Sequence, residues 1–168
     1  MFSSELSIRI DKPFRQFVDE EWLQQVVEQT LSKKGLDSPI ELSLVITDAK
    51  TIRKLNKRYR GRDEATDVLS FAMLEENPSL AATPGFITPP DGVLHLGEVV
   101  LSYPQAAIQA EEQHHPLERE LALLMIHGIL HLLGHEDEDA EAELRMRAEE
   151  ERILGELSDN GLLQAATL

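Results

Sequence analysis

Two histidines stand four residues apart in the segment HGILHLLGHEDED, at His127 and His131. On a helix that spacing places both side chains on one face, one turn apart, so both rings can reach a single ion. Gly134 follows three residues after His131, where a left-handed residue can end the helix and turn the chain back. A side chain two or three positions further on then approaches the same ion from another side. The third position past Gly134 is Asp137, and two histidines with one carboxylate leave a fourth coordination place for water. A cation held this way acidifies that water toward hydroxide at neutral pH. His135, one residue past the glycine, competes as third ligand, and spacing favours Asp137. The pattern therefore predicts one catalytic zinc ion, or another divalent transition metal, on His127, His131 and Asp137. There are no cysteines, so thiolate metal sites, disulfides and cysteine nucleophiles are excluded. Peptidases with this ligand spacing carry a glutamate directly after the first histidine as general base. Gly128 stands there instead, which points away from proteolysis. His95, His114 and His115 are expected in surface roles.

A second cluster is cationic. Lys50, Arg53, Lys54, Lys57, Arg58, Arg60 and Arg62 lie within thirteen positions, seven of the sixteen Lys and Arg residues, although the whole chain carries a net charge of −15. That overall charge disfavours indiscriminate binding to nucleic acid. One dense basic segment in an acidic protein is either reserved for an anion contact or a solvated helix face, and composition leaves the two open. A guanidinium can grip a phosphate with two parallel hydrogen bonds and stabilise charge that develops on it.

These residues need elements to position them. Leu6, Ile8 and Ile10 alternate with polar residues as in a half-buried strand, which Pro13 ends. Trp22, Val26, Val27 and Leu31 recur at helical spacing from Asp19 to Lys33, and Gly35 follows as a stop. A strand is expected at 40–46. Thr47 or Asp48 then caps a helix with Ile52, Leu55 and Tyr59 on one side, the basic residues on the other, and Gly61 at its end. Further strands are expected at 66–71 and 94–101, separated by an irregular loop over 75–92 that is rich in proline and glycine. Ser102 begins a helix, Pro116 opens the apolar helix that runs into the histidines, and a charged helix covers about 140–157. For Thr66, Asp67, Ser70 and Ser102, hydrogen bonding at strand ends is the expected role. The ends, 1–5 and 160–168, are expected to fray. The sum is a single α+β domain over 1–168, with a small mixed sheet of about four strands, about five helices and the metal site at the end of a late helix. No stretch has the roughly 20 apolar residues of a membrane span and the start lacks a signal peptide's apolar core, so a cytoplasmic protein is expected.

Three segments together resemble the YbeY family of bacterial rRNA maturation factors, which are metal-dependent endoribonucleases. LNKRYRGRDEATDVLSF (55–71) is similar to that family's arginine-bearing helix end and following strand, LGEVVLS (96–102) to a later strand, and HGILHLLGHEDED to its metal signature. The likeness extends over roughly Leu42 to Glu151. It implies that His127 and His131 are the first two zinc ligands. The family usually has histidine where Asp137 stands, a substitution that lowers the net charge of the site by one. It further implies that Arg60 lies near the metal cleft and serves RNA processing, with Lys54, Lys57, Arg58 and Arg62 extending the backbone contact. His127 and Arg60 would then be the catalytic pair. The implied substrate is single-stranded precursor rRNA, notably the 3′ end of 16S rRNA. The implied partners are the small ribosomal subunit and ribosome-associated proteins, with no membrane. The residues leave open whether water or the ribose 2′-hydroxyl attacks, and what the oligomeric state is. Two other readings stand beside this one: a non-catalytic ribosome-assembly factor with a structural metal, and a metallohydrolase of a small substrate.

Overall fold

The computed structural model describes residues 4–35, 39–73, 93–135 and 139–163. Four strands form one mixed sheet: β1 (Ser4–Ile10), β2 (Ile40–Thr47), β3 (Val68–Ala72) and β4 (Leu94–Ser102). Their spatial order is β1-β2-β4-β3, with β1, β2 and β4 parallel and β3 antiparallel at the edge. Five α-helices are described: α1 (Glu20–Lys33), α2 (Ala49–Arg60), α3 (Tyr103–Glu112), α4 (Leu117–Leu132) and α5 (Ala140–Asp159). The expected α+β domain with its small mixed sheet is what the chain forms. The loop expected at 75–92 lies outside the described residues.

Local chemistry explains the boundaries. The side chains of Asp19, Asp48, Ser102 and Asp139 each accept a backbone N–H in the first turn of the helix that follows, leaving fewer orphan donors at those ends. Strand β3 begins at Val68, two residues later than the alternation suggested. The Asp67 carboxylate takes the Val68 N–H at 2.7 Å, and the Asp67 carbonyl accepts the Ser102 N–H, so this residue is bonded as a strand end. At the chain ends order extends further than expected. Ser4 and Glu5 pair with Ile40 and Glu41. Trp22 Nε1 donates to the Leu162 carbonyl at 2.8 Å and Leu163 is buried, so the chain is fastened to the core as far as 163.

The sheet separates two apolar regions of unequal size. Ile40, Leu42, Leu44 and Ile46 of β2 face the larger one, with Leu94, Leu96, Val99 and Leu101 of β4. Helices α1, α4 and α5 supply its other side through Leu23, Val27, Met125, Ile129, Ile153 and Leu157. Residues 96 and 99 differ by an odd number yet face the same way, because the pairing register shifts between Glu41/His95 and Leu42/Gly97. That bulge inserts one residue into β4 and keeps both halves of the strand in the core. On the opposite face α2 covers Val45, Leu69 and Val100 with Ile52 and Leu55. The edge strand β3 thus lies between α2 on one face and α4 on the other, and those two helices carry the basic residues and the histidines.

Candidate active site

Helix α4 reaches the sheet unusually closely at Gly128. A Cβ built there would stand 2.7 Å from Val99 Cγ1 and 3.2 Å from Ser70 Oγ, so only a residue without a side chain permits this approach. The position that lacks a peptidase's glutamate is therefore filled by a packing requirement. Ser70 Oγ donates to the Gly128 carbonyl at 3.0 Å, and Arg60 Nη2 donates to the Ser70 carbonyl at 2.5 Å. Through Ser70, the end of α2, the strand β3 and the histidine-bearing turn of α4 are fastened together. Arg60 also lies over the Phe71 ring, 5.8 Å from its centroid.

The two histidines converge as the i,i+4 spacing requires. Their Nε2 atoms are 3.1 Å apart and the rings stand nearly perpendicular, at 79°. Two ligand nitrogens on a tetrahedral zinc ion at 2.0–2.1 Å would be about 3.3 Å apart, so the pair suits a shared ion with little movement. His127 Nδ1 meets Glu150 Oε1 of α5 at 2.5 Å. Donating its Nδ1–H to that carboxylate leaves Nε2 of a neutral imidazole as a lone-pair donor, the tautomer a metal ligand needs. Glu150 is only 7% exposed. The two histidines thus fit a divalent transition metal in donor type and direction, and His127 in tautomer as well.

After His131 the chain turns as the sequence implied. Gly134 has φ 96°, its N–H bonds to the His131 carbonyl and the His135 N–H to the Leu130 carbonyl, the paired bonds of a glycine-terminated helix end. Asp137 lies outside the described residues. Among the described residues no set of three His, Cys, Asp or Glu side chains converges to hold a metal. His135 is half-buried, and burial first, then the positive charge of Lys34, lowers its pKa.

An open cleft of about 640 Å³ joins the two halves of the site. His127, His131 and Ser70 line it on one side, and Tyr59, Arg60 and Arg62 on the other. The basic segment is divided between roles. Lys57 and Arg53 turn to Asp63, at 3.9 and 2.8 Å, and are absent from the cleft lining, as is Arg58, which lies over the Tyr59 ring. Asn56 is buried on the apolar side of α2 and donates to the Glu64 carbonyl at 2.9 Å, shaping the turn that presents Arg62.

Of the other histidines, His115 does not have the surface role expected of it. It is half-buried, and its Nε2 is 2.7 Å from the buried Glu120 carboxylate, which also accepts from Gln109, itself bonded to Asp67. His114 is exposed, and His95 pairs with Glu41 at 3.2 Å across the strands.

The family model described as Endoribonuclease YbeY matches residues 7–158. The chain belongs to the endoribonuclease YbeY family. A relative named Endoribonuclease YbeY from Dehalococcoides mccartyi (strain 195) is 45% identical over 88% of this chain and 86% of its own. Another of that name, from Roseiflexus sp. (strain RS-1), is 41% identical over 89% of this chain and 90% of its own. The solution structure of TM1509 from Thermotoga maritima has a TM-score of 0.56 at 23% identity, covering 95% of this chain and 96% of that one, which supports the fold. As a YbeY-family endoribonuclease the chain is an RNA-cleaving hydrolase, and the cleft lined by a histidine pair and two arginines is suited to a phosphodiester. Among the described residues no helix is long and apolar enough to cross a membrane.

Proposed function

We propose that this endoribonuclease is zinc-dependent, or dependent on another divalent transition metal, and cuts single-stranded precursor rRNA in the cytoplasm. The processing of the 16S rRNA 3′ end and the quality control of small subunits are its proposed setting. The observation that carries the reading is the cleft lined by His127 and His131 together with Arg60 and Arg62. In this reading His127, His131 and Asp137 hold the ion. When bound, it would supply positive charge to the scissile phosphate and make a nearby hydroxyl or water more acidic.

The remaining work falls to the protein. Glu150 fixes the tautomer and direction of His127. Arg60 is braced by its bond to the Ser70 carbonyl, so its remaining N–H donors are aimed without being free to wander. From there it can take a phosphate oxygen and stabilise the charge that grows during cleavage. Arg62 extends the contact along the backbone, while Lys57 and Arg58 add charge outside the cleft. At a net charge of −15 the protein repels RNA at long range, so the ribosomal particle is the proposed source of affinity for the correct strand.

The test is cleavage of a precursor spanning the 16S rRNA 3′ end, presented free and within small subunits, by wild type and Arg60→Ala. Metal-dependent cuts in single-stranded segments, more efficient on the particle and reduced at least tenfold in Arg60→Ala, are expected. Equal activity of wild type and Arg60→Ala on every RNA would overturn the phosphate role. Equal rates on free and particle-bound RNA would overturn the ribosomal setting.

A further inference from the structure

Next to the two cleft arginines is an aromatic ring that ordinary packing leaves largely uncovered. Tyr59 lies on the same side of α2 as Ile52 and Leu55, which are buried or half-buried, yet it is 59% exposed. It lines the cleft together with His127 and His131. The ring is nonetheless held. It meets Phe71 edge-on, with centroids 5.5 Å apart and planes at 68°, and the Arg58 guanidinium lies 5.3 Å from its centroid. Arg60 in turn lies over Phe71. The contacts therefore run cation, ring, ring, cation through Arg58, Tyr59, Phe71 and Arg60, and of these Tyr59 and Arg60 line the cleft.

We propose that Tyr59 is a nucleobase-stacking subsite of the RNA cleft, which favours unpaired over paired RNA by binding the face of a base. The inference rests on the RNA-cleaving reading of this cleft and adds the part of the substrate that phosphate contacts do not address. Every base has a π-face, and stacking on an aromatic side chain is tolerant of sequence. A base within a duplex has both faces covered by its neighbours, so only an unpaired one offers a face to the ring. Interleaved rings and guanidiniums suit such a strand, because the cations follow the phosphates while the ring takes the base. A ring already fixed by Phe71 and Arg58 loses little freedom when a base settles on it. Tyr59 precedes Arg60 directly, so the base it takes belongs to a nucleotide close to the phosphate Arg60 would hold.

The alternative role for Tyr59 is simply to cover Phe71. Tyr59→Leu keeps an apolar cover and removes the ring, whereas Tyr59→Trp keeps and enlarges the ring. The measurement is fluorescence-anisotropy affinity for two probes of equal length and charge, recovered intact afterwards: a single-stranded RNA and an abasic ribose-phosphate oligomer. Tyr59→Leu is expected to bind the RNA about tenfold more weakly than wild type, with affinity for the abasic oligomer unchanged. Tyr59→Trp is expected to match or exceed wild type on the RNA. Equal RNA affinity of wild type and Tyr59→Leu would overturn the subsite, as would an equal loss on both probes, which is the mark of a merely structural role. Wild type that bound neither probe would instead overturn the RNA reading of the cleft.

Discussion

Replacing Glu150 tests how the site holds its first histidine. The carboxylate side chain is 10% exposed, the His127 side chain 30%, and the two meet at 2.5 Å. Glu150→Gln keeps the shape and an acceptor for the Nδ1–H but removes the charge that makes the ring a stronger donor to metal. Loss of such an outer partner weakens metal binding by about 10- to 100-fold, or ~1.4–2.7 kcal/mol. Glu150→Ala removes the acceptor as well as the charge, so it also loses the hold on the ring's direction and should weaken metal binding further. The expected order of metal affinity is wild type, then Glu150→Gln, then Glu150→Ala. Folding stability of the metal-free protein should respond differently. Glu150→Gln removes both the cost of burying a charge and a charge-assisted hydrogen bond, and these offset to within about 1 kcal/mol. Competition with a chromophoric chelator measures the affinity, and ring-nitrogen chemical shifts of the metal-free protein report the His127 tautomer. Wild-type zinc affinity in Glu150→Ala, with the His127 tautomer unchanged, would refute the positioning argument.

Gly128→Ala sets two known effects against each other: the helix gains about 1 kcal/mol of propensity, while a Cβ 2.7 Å from Val99 Cγ1 costs about 1–3 kcal/mol of overpacking. Val99 is completely buried, so steric cost should prevail, with Tm lower by a few degrees in a thermal melt. A rise in Tm would show that the helix moves off the sheet freely. Acid should loosen the contact of α5 with the residue after α1. The hydrogen bond from Arg152, followed by that from Lys34, lowers the Glu149 pKa from 4.5 to about 2. Because the folded value lies below the unfolded one, this stabilisation is complete above about pH 4.5 and disappears as pH falls toward 2. The shift alone corresponds to at most about 3 kcal/mol, reduced to about 1 by solvent screening around Arg152. Chemical denaturation of wild type and Glu149→Gln should therefore differ at pH 6 and converge near pH 2; a constant difference would place the effect elsewhere.

Much of this site could be read from local patterns, because its main parts are encoded by spacing within one element. His127 and His131 needed only the helical period, and Gly134 the chemistry of a helix end. Arg60 sits where α2 stops at Gly61, and that stop too is a local signal. Glu150 was hidden among acids, and its partner is 23 residues away on another helix. The clue was its place in the apolar rhythm of Met146, Ile153, Leu154 and Leu157, since a carboxylate at a buried position demands a partner. Asn56 carried the same signal, a polar residue between Ile52 and Tyr59. The number of strands followed from alternation, but their order did not. The antiparallel pairing of β3 with β4 joins segments separated by residues 73–93, and periodicity does not identify a partner at that range. Ser70 shows the same limit: its hydroxyl bonds Gly128, 58 residues away.

The most direct test of the account is to strip the protein of metal and titrate it with zinc, following bound metal and single-stranded RNA cleavage on the same samples. One equivalent should restore cleavage in wild type. His131→Ala should remain folded, bind zinc weakly and stay inactive, and Asp137→Ala should lose more zinc than His135→Ala. Undiminished cleavage by the metal-free protein, or wild-type zinc binding and cleavage in His131→Ala, would contradict the central claim.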